Sequence, residues 1–546
     1  MKELVKDRVV QVAKELFGEE AEGAVERATF EKPKRKEFGD FATNAAFLLS
    51  RVAKMPPKEV AQKLAEALSS FEEFEKVEVA GNGFINFFFS PSVYGQLLKK
   101  VVETDFYLSN VGKGERVLLE YVSANPTGPL HVGHGRGALV GDVLYRVMKL
   151  TGYRPEREFY VNDAGRQIRL LGLSLLYRMR ELAGEEVELP DDAYRGEYLI
   201  DLAKELLEKR PEILRLPEEE AVELAARYGK ERLLEEIKKD LKELRVEFDN
   251  WFSEEALHRE GKVEEALNLL KEKGLIYEKD GALWLKTTQF GDDKDRVVRR
   301  STGEYTYFAA DIAYHYDKLK RGYDKAIDVW GADHHGYVPR VKAAIQALGG
   351  SPDWLEVVLI QLVKVFKEGK EVKMSKRAGT FVPLRWLMEQ VGTDAVRFFF
   401  LTKRHDTPLD FDVDLALSKK SENPVYYVQY AHARLCSVLD KAREEGFEPE
   451  SSHLHLLSSE EEKELIAKCY QLKSELQQVA KKREPHRLTY YLIELAGALH
   501  RFYNKHRVVN GEEPELTKAR LYLIEGVRKT LAVGLQILNV NAPRRM

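Results

Sequence analysis

The sequence predicts a multidomain α/β protein built on a doubly wound parallel sheet, preceded by a smaller α/β unit and followed by a helical bundle. Three observations carry that prediction. A strand-like run over 116–122 (RVLLEYV) passes through a turn into a helix-like run over 137–150, the strand–turn–helix pattern of a nucleotide-binding fold. Strand-like segments return at 282–287, 296–299 and 327–330, after a long, charged and largely helical stretch at 168–275. Beyond about 421 the pattern is mostly helical.

In chain order, residues 1–112 form the first unit. Apolar spacing predicts helices over 5–17 and 60–68. Strands over 77–80 and 84–89 flank Gly81-Asn82-Gly83, a turn signal. The sheet domain is expected over 113–360, with 168–275 as a mostly helical insertion between its halves. A linking region at 361–420 carries a loop rich in lysine and glycine, and 421–546 is the bundle. No internal repeat or low-complexity tract is present.

Composition narrows the function classes. A chain of 546 residues with 44% hydrophobic residues has enough apolar surface for several ordinary cores. It contains no run long enough to span a bilayer, and its first residues (MKELVKDRVVQVAKELF) are an amphipathic, charged helix pattern rather than a signal peptide. Two cysteines, Cys436 and Cys469, argue against a disulfide framework and against a thiolate zinc site. A cytoplasmic protein with no membrane contact is the expectation. The net charge of −4 does not advertise nucleic-acid binding. Locally, residues 481–510 carry seven Lys or Arg against two Glu, interleaved with Tyr490, Tyr491, Phe502 and Tyr503. That stretch suits phosphate contact with base stacking, although a solvated helix face with aromatic core residues is the more economical reading.

Two short segments carry the chemistry. His131-Val132-Gly133-His134 lies between the first strand and its helix, so both histidines sit beside the free N–H groups of a helix start, where anions are favoured. Lys373-Met374-Ser375-Lys376 supplies cations from a loop. Together they suit attack on the α-phosphate of ATP, because departing pyrophosphate gathers charge that histidine and lysine donors can meet. Gly133 and Gly135 would let a nucleotide approach the backbone closely. A His-x-x-His pair also occurs in metal sites, but no third ligand with suitable spacing is evident.

The text around these segments resembles the class I aminoacyl-tRNA synthetases, and within them the bacterial-type arginyl-tRNA synthetases. The resemblance rests on Ser123-Ala124-Asn125-Pro126-Thr127-Gly128-Pro129-Leu130 leading into HVGHGRG, on Tyr160 to Gln167 (YVNDAGRQ), on Lys373 to Leu384 (KMSKRAGTFVPL), and on the final NVNAPRRM. Glu37-Phe38-Gly39-Asp40-Phe41-Ala42-Thr43 adds a fifth segment similar to the family's N-terminal domain. The resemblance covers nearly the whole chain. It implies a Rossmann-type catalytic domain, an N-terminal domain reaching the tRNA elbow, and a helical anticodon-binding domain.

It also implies the parts of the site. His131, His134, Lys373 and Lys376 would be catalytic. Gly133, Gly135, Gly331 and Asp333, with Met374 and Ser375 of the lysine loop, would bind ATP. Glu120, Tyr307 and Asp311 would hold the guanidinium of arginine, with Asn125 and His131 on the amino-acid head. Substrates would be L-arginine, ATP with Mg²⁺, and tRNA(Arg), acted on by a monomer with no protein-held zinc and no editing domain. The family's glutamine contact to the amino acid has no unambiguous counterpart in Trp330-Gly331-Ala332-Asp333-His334-His335. The rivals are another class I synthetase, a nucleotidyltransferase without tRNA, and a non-catalytic tRNA-binding paralogue.

Overall fold

Five parallel strands form the centre of the molecule, in the spatial order Leu355–Ile360, Lys325–Gly331, Arg116–Glu120, Arg154–Val161, Asn250–Ser253. The computed structural model describes residues 1–374 and 381–546. The central strands are apolar on both faces, with Val117, Leu118, Leu119, Ile327 and Phe159 all buried, as expected of a parallel sheet covered by helices. The chain leaves the Arg116–Glu120 strand in one direction and later returns on its other side at Lys325–Gly331. That reversal opens a crevice at the carboxyl ends of these two strands, where ligands bind in such folds.

The helix Val132–Leu150 crosses over this sheet and is buried almost all round. Gly141 makes its close approach possible: a Cβ there would lie 2.2 Å from the ring of Tyr121.

Four expectations need correction. The first strand ends at Glu120 rather than 122, because Val122 and Ser123 turn into the left-handed region (φ 70° and 44°). Its helix starts at Val132, not 137. The stretch 168–275 is not purely an insertion, since Asn250–Ser253 within it pairs with Arg154–Val161 as the edge of the central sheet. Finally, Ala282–Leu285 and Arg296–Arg299 do not join that sheet. They form a separate antiparallel sheet with Ile276–Lys279. Short strand-like runs reveal extended backbone but not their pairing partners, which only long-range contacts select.

The N-terminal unit packs helices Lys2–Phe17, Ala45–Ala53 and Pro57–Leu68 against a four-stranded antiparallel sheet with its own core. Phe74–Ala80 and Phe84–Phe89 form the hairpin of that sheet. The C-terminal part is helical, from Pro424–Glu444 to Pro514–Ile537, and its last residues fold back toward the catalytic sheet. There the fully buried Arg397 donates to the carbonyls of Leu538 (2.8 Å) and Leu244 (2.8 Å) and pairs with Asp142 on the helix Val132–Leu150. No described helix is long and apolar enough to cross a membrane.

Candidate active site

His131 caps the helix Val132–Leu150. Its Nδ1 accepts the backbone N–H of Gly133 (3.1 Å) and of His134 (3.4 Å), while His134 Nδ1 accepts the N–H of His131 (3.1 Å). The two side chains thus form a reciprocal capping box, a task more often given to Ser and Glu. The arrangement fixes the tautomer. With Nδ1 accepting on both rings, the proton of each neutral ring must sit on Nε2. Burial pulls the His131 ring down to about 4, against the opposing pull of Asp333. Burial, with His131 adding to it, pulls His134 down to about 3. At neutral pH the pair therefore offers two uncharged Nε2–H donors at a helix N-terminus, the equipment for a polyphosphate.

The two glycines of this motif serve the protein's own packing. A Cβ at Gly133 would lie 2.9 Å from Cε1 of His131, so a side chain there would displace the ring. At Gly135 a Cβ would lie 2.6 Å from Leu384 and 3.1 Å from Phe400, so a side chain there has no room.

The segment leaving the lysine loop lies directly on the histidine motif. Val132 donates to the carbonyl of Val382 (3.0 Å), Leu384 to that of Leu130 (2.9 Å), and the Phe381 ring stacks on His131 at 4.6 Å. On the entry side Lys373 is exposed and Met374 packs partly against the core. Ser375 and Lys376 lie outside the described residues. Gly331 ends the Lys325–Gly331 strand and Asp333 follows, exposed, near enough to His131 to act on its charge.

A second cluster lines the crevice beside the histidines. Tyr307 opens the helix Tyr307–Lys320, is 60% exposed, and donates from its hydroxyl to Gln167 Oε1 at 2.8 Å. One turn on, Asp311 accepts from Tyr337 at 2.7 Å, and burial raises its carboxyl. Glu120 ends its strand buried, its Oε2 accepting from Ser123 Oγ (2.8 Å). The left-handed backbone at Val122 and Ser123, unusual for a β-branched residue, is what folds that hydroxyl back onto Glu120. Asn162 Nδ2 fastens the turn through the carbonyl of Ser123 (3.2 Å), and Asp163 holds Ser253 Oγ (2.6 Å) and the backbone N–H of Glu255 (2.8 Å). Asn125 is exposed in the loop before the histidines.

Sequence reasoning missed part of this cluster. The Tyr160 hydroxyl is buried among three carboxylates, Glu254, Asp311 and Glu120. It and the Glu254 carboxyl act on one another, but neither the hydroxyl nor Glu254 Oε2 makes a well-formed hydrogen bond among the described residues. Burial, with Asp311 adding to it, pushes the Glu254 carboxyl up to about 7. In the sequence Glu254 reads as an ordinary acid in the first turn of a helix. Only the fold turns it inward. Among the described residues no group of three or more His, Cys, Asp or Glu side chains could hold a metal ion.

The basic stretch 481–510 is largely committed to the protein itself. Arg483 pairs with Glu356, Arg487 with Glu484, Arg501 with Glu464 and Lys505 with Glu461, while Tyr491 and Phe502 are core residues. A cavity of about 230 Å³ nearby instead gathers Lys419, Lys420, Tyr426, Tyr430, Arg434 and Tyr503. Tyr426 and Tyr430 stack at 5.8 Å, and the Arg434 guanidinium lies 4.4 Å from the Tyr503 ring centre. Flat aromatic faces beside cations suit a nucleic-acid base.

Comparisons with known proteins agree with this geometry in every part of the chain. Residues 2–89 match the family model of the arginyl tRNA synthetase N terminal domain. Residues 96–405 match tRNA synthetases class I (R), catalytic domain, and 428–546 match the DALR anticodon binding domain. The arginine–tRNA ligase of Aquifex aeolicus is 50% identical over 589 aligned positions, covering 100% of both chains. Arginine–tRNA ligase 1 of Halalkalibacterium halodurans is 49% identical, covering 100% of this chain and 99% of its own. In fold, the Thermus thermophilus arginyl-tRNA synthetase superposes with a TM-score of 0.76 at 23% identity, covering 100% of both.

Proposed function

The chain belongs to the arginyl-tRNA synthetases of class I and is an arginine–tRNA ligase, and on that premise we propose how its residues divide the work. ATP, arginine and tRNA(Arg) are its substrates. ATP enters as its magnesium complex, its phosphates meeting the Nε2–H groups of His131 and His134. Lys373 and Lys376 take the pyrophosphate as the arginine carboxylate attacks the α-phosphorus in line and the bridging P–O bond breaks. Gly331 and Asp333 meet the adenosine, and Met374 and Ser375 of the lysine loop also contact ATP. The terminal ribose hydroxyl of tRNA then takes the arginyl group and AMP leaves.

Glu120, Asp311 and Glu254 receive the guanidinium, with Tyr307 as a flat wall, and Asn125 and His131 hold the amino-acid head. The observation that supports this pocket is the convergence of three buried carboxylates, Glu120, Asp311 and Glu254, around the Tyr160 hydroxyl. A planar cation with five donors satisfies such a set, and a side chain without those donors leaves it unpaired. The Tyr426–Tyr503 cavity takes a base of the anticodon loop. Two buried free cysteines are compatible with work in the cytoplasm, and we propose that the enzyme acts as a monomer.

Charging of total tRNA with each labelled amino acid tests the substrate directly, and label from any amino acid but arginine would discard the pocket. A sharper test uses pH. Because the Glu254 carboxyl titrates at about 7, it is protonated and a poor cation ligand below that pH. The value of kcat/KM for arginine, which reports the free enzyme, is expected to fall as pH drops from about 8 to about 6. In Glu254→Gln the low value should persist at all pH. An unchanged slope in that variant would remove Glu254 from the pocket.

A further inference from the structure

Glu120 and Asp328 stand side by side on neighbouring parallel strands, as direct register partners, and both are buried. Two adjacent buried carboxylates repel one another, and burial itself favours their neutral forms. The fold places a cation between them. Lys318, fully buried on the helix Tyr307–Lys320, donates to Glu120 Oε1 at 2.7 Å and to Asp328 Oδ1 at 2.8 Å. One turn earlier, His315 Nε2 meets Asp328 Oδ2 and Nδ1 meets the carbonyl of Asp311, both at 2.8 Å. Both ring nitrogens of His315 are thus engaged, one on each layer of the cluster.

We propose that Lys318 is a positioning residue for arginine recognition, which acts from beneath the pocket to hold Glu120 ionised and aimed at the guanidinium. The proposal rests on the reading of Glu120 as a guanidinium ligand. The same helix supplies both layers. Tyr307 and Asp311 lie at the crevice, and His315 and Lys318, spaced four and three residues further on, lie behind it. Lys318 takes one lone pair on Oε1 and Ser123 takes one on Oε2. Each oxygen keeps a second lone pair, which is what a forked guanidinium contact needs.

Electrostatics supports this geometry. Burial pushes the Glu120 carboxyl up, and Lys318 is the largest opposing influence, with Asp328 raising it and His315 lowering it. Burial disfavours the Lys318 ammonium, but Asp328, Glu120 and Glu158 more than restore it. The other titratable groups that act with Glu120 are the hydroxyls of Tyr314, which is bonded to Glu158, and of Tyr160. None of these replaces the charge of Lys318. Without it, burial loses its largest opponent and favours the protonated form of Glu120 more strongly.

The test compares Lys318→Met and Lys318→Gln with the wild-type chain, measuring KM for arginine and kcat from about pH 6 to about pH 10 in the complete charging reaction. KM at about pH 7 is expected to rise roughly tenfold with kcat changed less than about threefold, and to recover toward the wild-type value at the alkaline end of the range as Glu120 ionises. A rise that is equal at every pH would reflect packing alone and overturn the proposal. Glu120→Gln is expected to raise KM at all pH, and Lys318→Met added to it should change KM by less than about twofold. An additive effect would overturn the proposal while leaving Glu120 in the pocket. An unchanged KM in Glu120→Gln alone would overturn the reading of Glu120 and the proposal with it. If neither Lys318 variant folds, calorimetry of arginine binding to the wild-type chain at about pH 8.5, in two buffers of different ionisation heat, decides. No proton release would support a Glu120 already ionised, and a released proton that disappears in Glu120→Gln would overturn it.

Discussion

Replacing His134 by alanine is expected to slow arginyl-adenylate formation by roughly 10²–10³, the usual cost of losing one preorganised donor to a transition-state charge. The ring holds the backbone N–H of His131 through Nδ1 and presents Nε2–H on its other edge. Alanine removes both. The lost cap costs only about 1 kcal/mol of helix stability, so the fold should persist while the rate collapses. ATP–pyrophosphate exchange with arginine and tRNA present reads the effect. Because burial holds both rings neutral down to about 4 and about 3, this contribution should not titrate between about pH 6 and about pH 9. An exchange rate within threefold of wild type would remove His134 from the mechanism.

Arg397→Met should destabilise the junction between the catalytic sheet and the C-terminal helices by about 3–5 kcal/mol, as when one partner of a buried ion pair is deleted. Arg397 is fully buried. Its guanidinium joins Asp142, on the helix that carries the histidines, to the carbonyls of Leu244 and Leu538, so three distant parts of the chain end on one side chain. Methionine fills similar volume but leaves two carbonyls without their donor and Asp142 with Arg146 as its remaining ion-pair partner. Urea unfolding followed by both circular dichroism and tryptophan fluorescence should show an earlier transition, with the two probes separating as domains unfold in turn. A midpoint unchanged from wild type would mean that water reaches and satisfies these groups.

Arg397 also shows where sequence reading stops. It lies in an unremarkable run (AVRFFF), and nothing in that spacing predicts that its partners lie some 140 to 255 residues away. Lys318 is similar: KxKR beside a tyrosine reads as a solvated helix end, yet the ammonium is wholly buried between two acids. Glu254, Tyr160 and Gln167 escaped for the same reason. At Gly135 the sequence likewise does not show that the side-chain direction is closed by Leu384 and Phe400.

The sequence alone determined the α/β class, the N-terminal and helical C-terminal units, and the two segments proposed to handle ATP, because hydrophobic period and short motifs are local properties of the chain. It also pointed, through resemblance, to Glu120, Tyr307 and Asp311. Tertiary structure alone decided which strands join the central sheet, which nitrogen of each of His131 and His134 carries the proton, and which charges sit behind the proposed arginine pocket. Those outcomes depend on burial and on partners far apart in sequence. Desolvation and hydrogen bonding act on a group's final surroundings, and a linear text does not contain them.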